Sequence, residues 1–143
     1  MMTPDQLEML KRLKAPIDKY MGPWRIGDKC YSIYHSQTGF IIDTSQNSYR
    51  YTHVVFDSGM EVKCKVDNME MYLRIPPFAT PDGKRCLLGL LQSLNNDYLT
   101  RHLKLECIDG VWIVNTVLTN SWSACDKDPY TAILKALCEQ EEV

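Results

Sequence analysis

Residues 52–66 read THVVFDSGMEVKCKV, and they set His53, Asp57, Ser58, Glu61 and Cys64 close together along the chain. The stretch is either a reactive site or a turn between two strands. In its second half Met60, Val62, Cys64 and Val66 alternate with Glu61, Lys63 and Lys65, the two-residue period of a strand. Asp57 and Ser58 suit the first positions of a turn, and Gly59 supplies the positive φ of a type I turn closed by a bulge. A turn thus accounts for every residue. Catalysis would use only Asp57 and Ser58 and lacks a base, because His53 lies four residues up an extended strand, roughly 13 Å away. The stretch is read as a β-hairpin.

The same alternation extends on both sides. KCYSIYH (29–35) and GFIID (39–43), separated by SQTG (36–39), read as strands upstream, and MEMYLRI (69–75) reads as a strand downstream. Residues 28–75 are therefore expected to hold four or five short strands joined by tight turns. A second hairpin is expected in HLKLECIDGVWIVNTVL (102–118), where Asp109-Gly110 is the favoured pair for a two-residue type I′ turn. That turn sets the register: Ile108 faces Val111, Cys107 faces Trp112, Leu105 faces Val114 and Leu103 faces Thr116. Leu103, Leu105, Cys107, Trp112 and Val114 then share a face that needs a cover. A lone hairpin is marginal, so it is expected to join another sheet or a partner chain.

Three segments open with helix-start chemistry. TPDQLEMLKRL offers Thr3 as N-cap, Pro4 at the first helical position and Gln6 to complete a capping box. Pro16 ends or kinks that helix. TPDGKRCLLGLLQSL repeats the signal with Thr80 and Pro81, predicting a helix over 81–97. DPYTAILKALCEQ uses Asp128 as cap and Pro129 as first residue, over 129–140. The sum is an α+β fold: an N-terminal helix (1–22), a small barrel-like antiparallel sheet (24–78), and an α-β-β-α unit (79–143) that covers the second hairpin.

Length and composition fit one domain or two small units: 143 residues, 45 % hydrophobic and 24 % charged. A net charge of -2 argues against a dominant phosphate-binding surface. The sequence lacks an apolar run long enough to span a membrane, and MMTPDQLEML lacks a signal-peptide layout. A cytoplasmic location without membrane contact is expected. The six cysteines (30, 64, 86, 107, 125 and 138) show no C-x-x-C pair. They are read as reduced and mostly buried, with Cys125 the most exposed.

Chemistry is sparse. The seven glycines form no phosphate loop, and His35, His53 and His102 sit on three separate predicted strands. No metal or other cofactor is expected. Any cysteine could in principle meet a histidine as a nucleophile–base pair, and Cys64 and His53 lie on adjacent strands of the expected hairpin, with a core cysteine favoured. Aromatic and arginine residues carry most binding hot spots. The candidate patch is Tyr49, Arg50, Tyr51, Tyr72 and Arg74, with Trp122 in a polar loop; Trp24, Tyr31, Tyr34 and Phe78 are further aromatic candidates.

Two resemblances follow from quoted segments. PWRIGDKCYSIYHSQTGFI, with the VVFDSG hairpin, resembles the opening of SH3-like small barrels. GVWIV leading into DPYTAILKAL resembles the end of small phage and prophage proteins of the phage ABA-sandwich kind, which have no settled activity and lend no functional residue. The expected function is a non-enzymatic, phage- or prophage-derived binding protein, an adaptor or inhibitor that contacts a protein partner. The alternative is a nucleic-acid-binding barrel using Lys63, Lys65, Arg74 and nearby tyrosines. A small Cys/His enzyme ranks third, and a homodimer through the second hairpin is an open possibility.

Overall fold

A computed structural model describes residues 2–44, 51–94, 103–116 and 123–141. In it the 52–66 stretch turns as its chemistry requires. β3 (Tyr51–Phe56) pairs with β4 (Glu61–Lys65), Gly59 takes φ +91°, and its N–H donates to the Phe56 carbonyl at 2.8 Å. Asp57 accepts a hydrogen bond from the Thr38 hydroxyl, and Ser58 donates to Gln37 at 2.6 Å. These side chains fasten the turn to the start of the neighbouring strand.

The chain divides into two compact units, residues 14–76 and residues 1–13 with 77–143. The first unit holds α2 (Lys14–Met21), β1 (Lys29–Ser32), β2 (Gln37–Thr44), β3, β4 and β5 (Tyr72–Arg74). Its antiparallel sheet runs β4-β3-β2-β1-β5. The sheet is open, because among the described residues β4 and β5 are its edges and do not pair with each other. Gly39 in β2 has no alternative, since a Cβ there would lie 2.5 Å from the Val55 carbonyl oxygen. Cys30, Ile41, Val54, Phe56, Met69 and Tyr72 form the core, with Trp24, Val62 and Cys64 packed against it.

The helix begun at Thr3 stops at Leu13 and a second starts at Lys14, the break expected of Pro16, whose ring cannot follow an unbroken turn over Arg12. Two sequence expectations are corrected in the 14–76 unit. The alternating MEMYLRI is not one strand: Val66–Met71 is a 3₁₀ segment and only Tyr72–Arg74 is extended. The chain here must leave one sheet edge and reach the other beside β1, and a tight helical turn makes that reversal where a strand could not. Finally, Ile33–Ser36 form the turn after β1, with Ser36 at φ 53°, so Tyr34 and His35 leave the sheet.

The second unit holds α1 (Pro4–Arg12), α3 (Leu87–Leu94), β6 (Leu103–Ile108), β7 (Val111–Thr116), β8 (Ser123–Asp126) and α4 (Pro129–Glu141). Thr3 and Gln6 make the full capping box. The β6–β7 register is the predicted one at all four pairs, and Asp109 and Gly110 both have positive φ, as a type I′ turn demands. The hairpin gains a third strand, β8, from a segment that reads as a polar loop. α4 packs on α1, α3, β7 and β8. Its Ile133, Leu134 and Leu137 are fully buried, each contributing about 1.5–3 kcal/mol relative to exposure. The cover is incomplete: Val114 is buried, Leu105 and Trp112 half-buried, and Cys107 exposed.

α3 starts at Leu87, not at Pro81. Thr80 and Asp82 instead hold a turn by hydrogen bonds to Lys84, and Gly83 and Arg85 adopt positive φ that no helix admits. Among the described residues no helix is long and apolar enough to cross a membrane.

Candidate functional site

A cavity of about 420 Å³ opens in the 14–76 unit. Tyr34, His35, Tyr51 and Tyr72 wall it, and Met71 and the β4 residues Val62, Lys63, Cys64 and Lys65 complete the lining. Tyr34 projects from the turn after β1 with 79 % of its surface in solvent. Its ring meets His35 edge-on at 4.9 Å, and His35 in turn lies 5.1 Å from Phe56. The buried Ser32 hydroxyl accepts the His35 backbone N–H at 3.1 Å and hydrogen-bonds His35 Nδ1 at 2.9 Å, so one oxygen holds both the backbone and the ring of His35. Tyr72 is 3 % exposed. Burial, then the neighbouring Cys64, push its hydroxyl above the ordinary tyrosine range, while a hydrogen bond with Ser32 pulls it back. The site is therefore aromatic and preorganised on one wall, with a pair of exposed lysines on the other.

The thiols are poorly suited to nucleophilic chemistry. Burial raises Cys64, and burial with the charges of Asp28 and Asp57 raises Cys30 to about 12. Both stay protonated near neutral pH, whereas a nucleophilic cysteine needs its thiolate. The β3–β4 register sets Thr52 opposite Cys64, so His53 falls on the other face beside Glu61, 3.5 Å away. The His53–Cys64 pairing considered from sequence does not form. None of the six cysteines forms a disulfide, and Cys107 as well as Cys125 is exposed. Among the described residues no three His, Cys, Asp or Glu side chains gather as a metal ion would require.

Of the residues singled out in the sequence, Tyr51 and Tyr72 line the cavity together. Tyr49, Arg50 and Trp122 lie outside the described residues, as does His102. Arg74 is placed elsewhere, which corrects its assignment to a surface patch. Its side chain is 5 % exposed, with Nε donating to Asp18 at 3.1 Å, Nη1 3.6 Å from Asp28, and Nη2 donating to the Gly22 carbonyl. The guanidinium stacks over Trp24 at 4.1 Å. It ties α2 and the segment before β1 to β5. His35 was not singled out for this site, because its alternating surroundings read as strand; the polar SQTG that follows marks the turn a few residues late. No protein-family model, curated protein or solved structure matches this chain.

Proposed function

We propose that this chain is a non-enzymatic binding module that holds a protein partner through the aromatic cavity of the 14–76 unit. The observation that carries the proposal is Tyr34, a large aromatic side chain held in solvent at the mouth of a cavity with Tyr51, Tyr72 and His35 behind it. An exposed aromatic on a rigid support presents contact area at low entropic cost, and such residues dominate binding energies. An adaptor or an inhibitor of a host factor is the form this takes for a protein of phage origin.

Nucleic-acid binding is the second reading, favoured by Lys63 and Lys65 beside Tyr34 and Tyr51. It loses Arg74, which is spent inside the unit. Affinity capture with the tagged full chain separates the two. A protein partner is expected to survive washing at roughly 0.5 M salt, where phosphate contacts weaken steeply. Tyr34→Ala is expected to weaken that capture by ~2 kcal/mol, as truncating a hot spot does. Capture indifferent to Tyr34→Ala, or a nucleic acid lost on raising salt, overturns the proposal.

A further inference from the structure

Successive residues of a strand point to opposite faces, yet Val62, Lys63, Cys64 and Lys65 all line the one cavity. Four consecutive residues share a cavity only where it runs along the edge of their strand. β4 is such an edge, and Met71 and Tyr72, where the 3₁₀ segment runs into the opposite edge strand, line the cavity too. The cavity therefore occupies the seam where the open sheet would close.

The hydrogen-bond phase of β4 follows from the turn. Phe56 N–H donates to the Met60 carbonyl at 2.8 Å. Bonded pairs then alternate, so Val54 with Val62 and Thr52 with Cys64 exchange hydrogen bonds across the hairpin. The backbone N–H and C=O of Glu61, Lys63 and Lys65 point the other way, toward the seam. Among the described residues no strand pairs with that side of β4, and neither Lys63 nor Lys65 is ion-paired.

Resting on the protein-binding reading above, we propose that the partner adds an extended segment to β4 as a further, antiparallel strand, with an acidic–apolar–acidic sequence at its centre. Residues opposite Lys63 and Lys65 would lie on the lysine face, about 6.7 Å apart, and carboxylates there complement both charges. The residue between them would lie opposite Cys64 and send its side chain onto Val62, Cys64, Met71 and Tyr72, which calls for an aromatic or large aliphatic group. A second copy of β4 is a poor occupant. Antiparallel pairing about Cys64 would set Lys63 directly against Lys65 of the other copy, and like charges in that position destabilise.

The test uses the full chain and short blocked, fluorescein-labelled peptides followed by anisotropy. A peptide centred on Glu-Phe-Glu is expected to bind at least roughly tenfold tighter than one centred on Lys-Phe-Lys. Methylating the backbone nitrogens of the two glutamates, which face β4, is expected to abolish binding; methylating that of the phenylalanine, which faces away, is expected to leave it. The double variant Lys63→Glu/Lys65→Glu is expected to reverse the preference toward Lys-Phe-Lys, a result that misfolding cannot imitate. Equal binding of the two charge forms, or binding indifferent to glutamate N-methylation, overturns the inference. So does a short oligothymidylate that outcompetes the peptides and is lost in the double variant. Should no peptide bind while partner capture still depends on Tyr34, the edge-pairing inference falls and the binding module stands; loss of both removes both.

Discussion

Each unit has a long buried polar side chain that ties several of its parts together, but one tie is charged and the other neutral. In the 14–76 unit Arg74 gathers Asp18, Asp28, the Gly22 carbonyl and the face of Trp24. In the other unit Gln6, 7 % exposed, joins two helix starts. Its Oε1 accepts from the Thr3 N–H at 2.9 Å, and its Nε2 donates to Asp128 and Thr131 at 3.0 and 2.9 Å. Asp128 is the N-cap of α4, so the cap of one helix braces the cap of the other. A guanidinium withdrawn from water must be answered on every side, and the single stretch from Asp18 to Asp28 supplies all four of these partners. An amide needs fewer partners and finds most of them within one turn of a helix end. The charged tie is therefore the stronger constraint and the costlier one to break.

The largest expected effect tests that ordering. Arg74→Met is expected to destabilise the 14–76 unit by about 3 kcal/mol, the low end for breaking a buried pair, because Asp18 keeps 35 % of its side-chain surface in water. Urea unfolding followed through Trp24 fluorescence, with Trp112 and Trp122 replaced by phenylalanine, reads that unit directly. A cost under about 1 kcal/mol would class Arg74 with surface pairs and return it to the pool of binding residues.

Gln6→Ala is expected to cost less, on the order of 1–2 kcal/mol, the loss of neutral and charge-assisted hydrogen bonds around a partly solvated carboxylate. The readout is the unfolding midpoint of the unit holding α1 and α4, followed through Trp112 alone. A loss as large as that from Arg74→Met would mean that charge is not what separates the two ties.

The same contrast explains what could be read from sequence. Both hairpins, the caps at Thr3 and Asp128, and the β6–β7 register are set by residues within a few positions of each other, with Gly59 and Gly110 forcing the backbone. They are legible because the cause is local. What could not be read depends on distant partners. Arg74 looks like a surface arginine beside a tyrosine, and only Asp18, 56 residues away, makes it an interior one. The alternation of residues 69–75 is real, yet the crossing between sheet edges overrides it in favour of a 3₁₀ turn. Thr80-Pro81 has the chemistry of a helix start, but Asp82-Gly83 just beyond it closes a turn first. β8 carries little apolar pattern and is extended because β7 offers an edge. For the candidate site, Tyr51 and Tyr72 were legible as aromatics, whereas the pairing of Tyr34 and His35 with the β4 edge required the topology.

The smallest effect isolates burial from charge. Lys135 and Asp126 form an ion pair at 2.9 Å with side chains 45 % and 28 % exposed, the surface counterpart of Arg74 and Asp18. The Asp128 backbone N–H, then the Lys135 ammonium, hold the Asp126 carboxyl below its usual range, and Asp126 holds Lys135 above its own. A carboxylate with a lowered folded-state pKa stabilises the fold above its ordinary value of 3.8 and loses that contribution as pH falls through the lowered one. Solvent screens the pair, so Asp126→Asn is expected to cost within about 1 kcal/mol at neutral pH and to flatten the fall in stability below pH 4. Unfolding midpoints of wild type and variant should therefore converge as acid is added. If they stay parallel down to strongly acidic pH, the contact between Lys135 and Asp126 adds nothing through charge, and burial alone distinguishes Arg74.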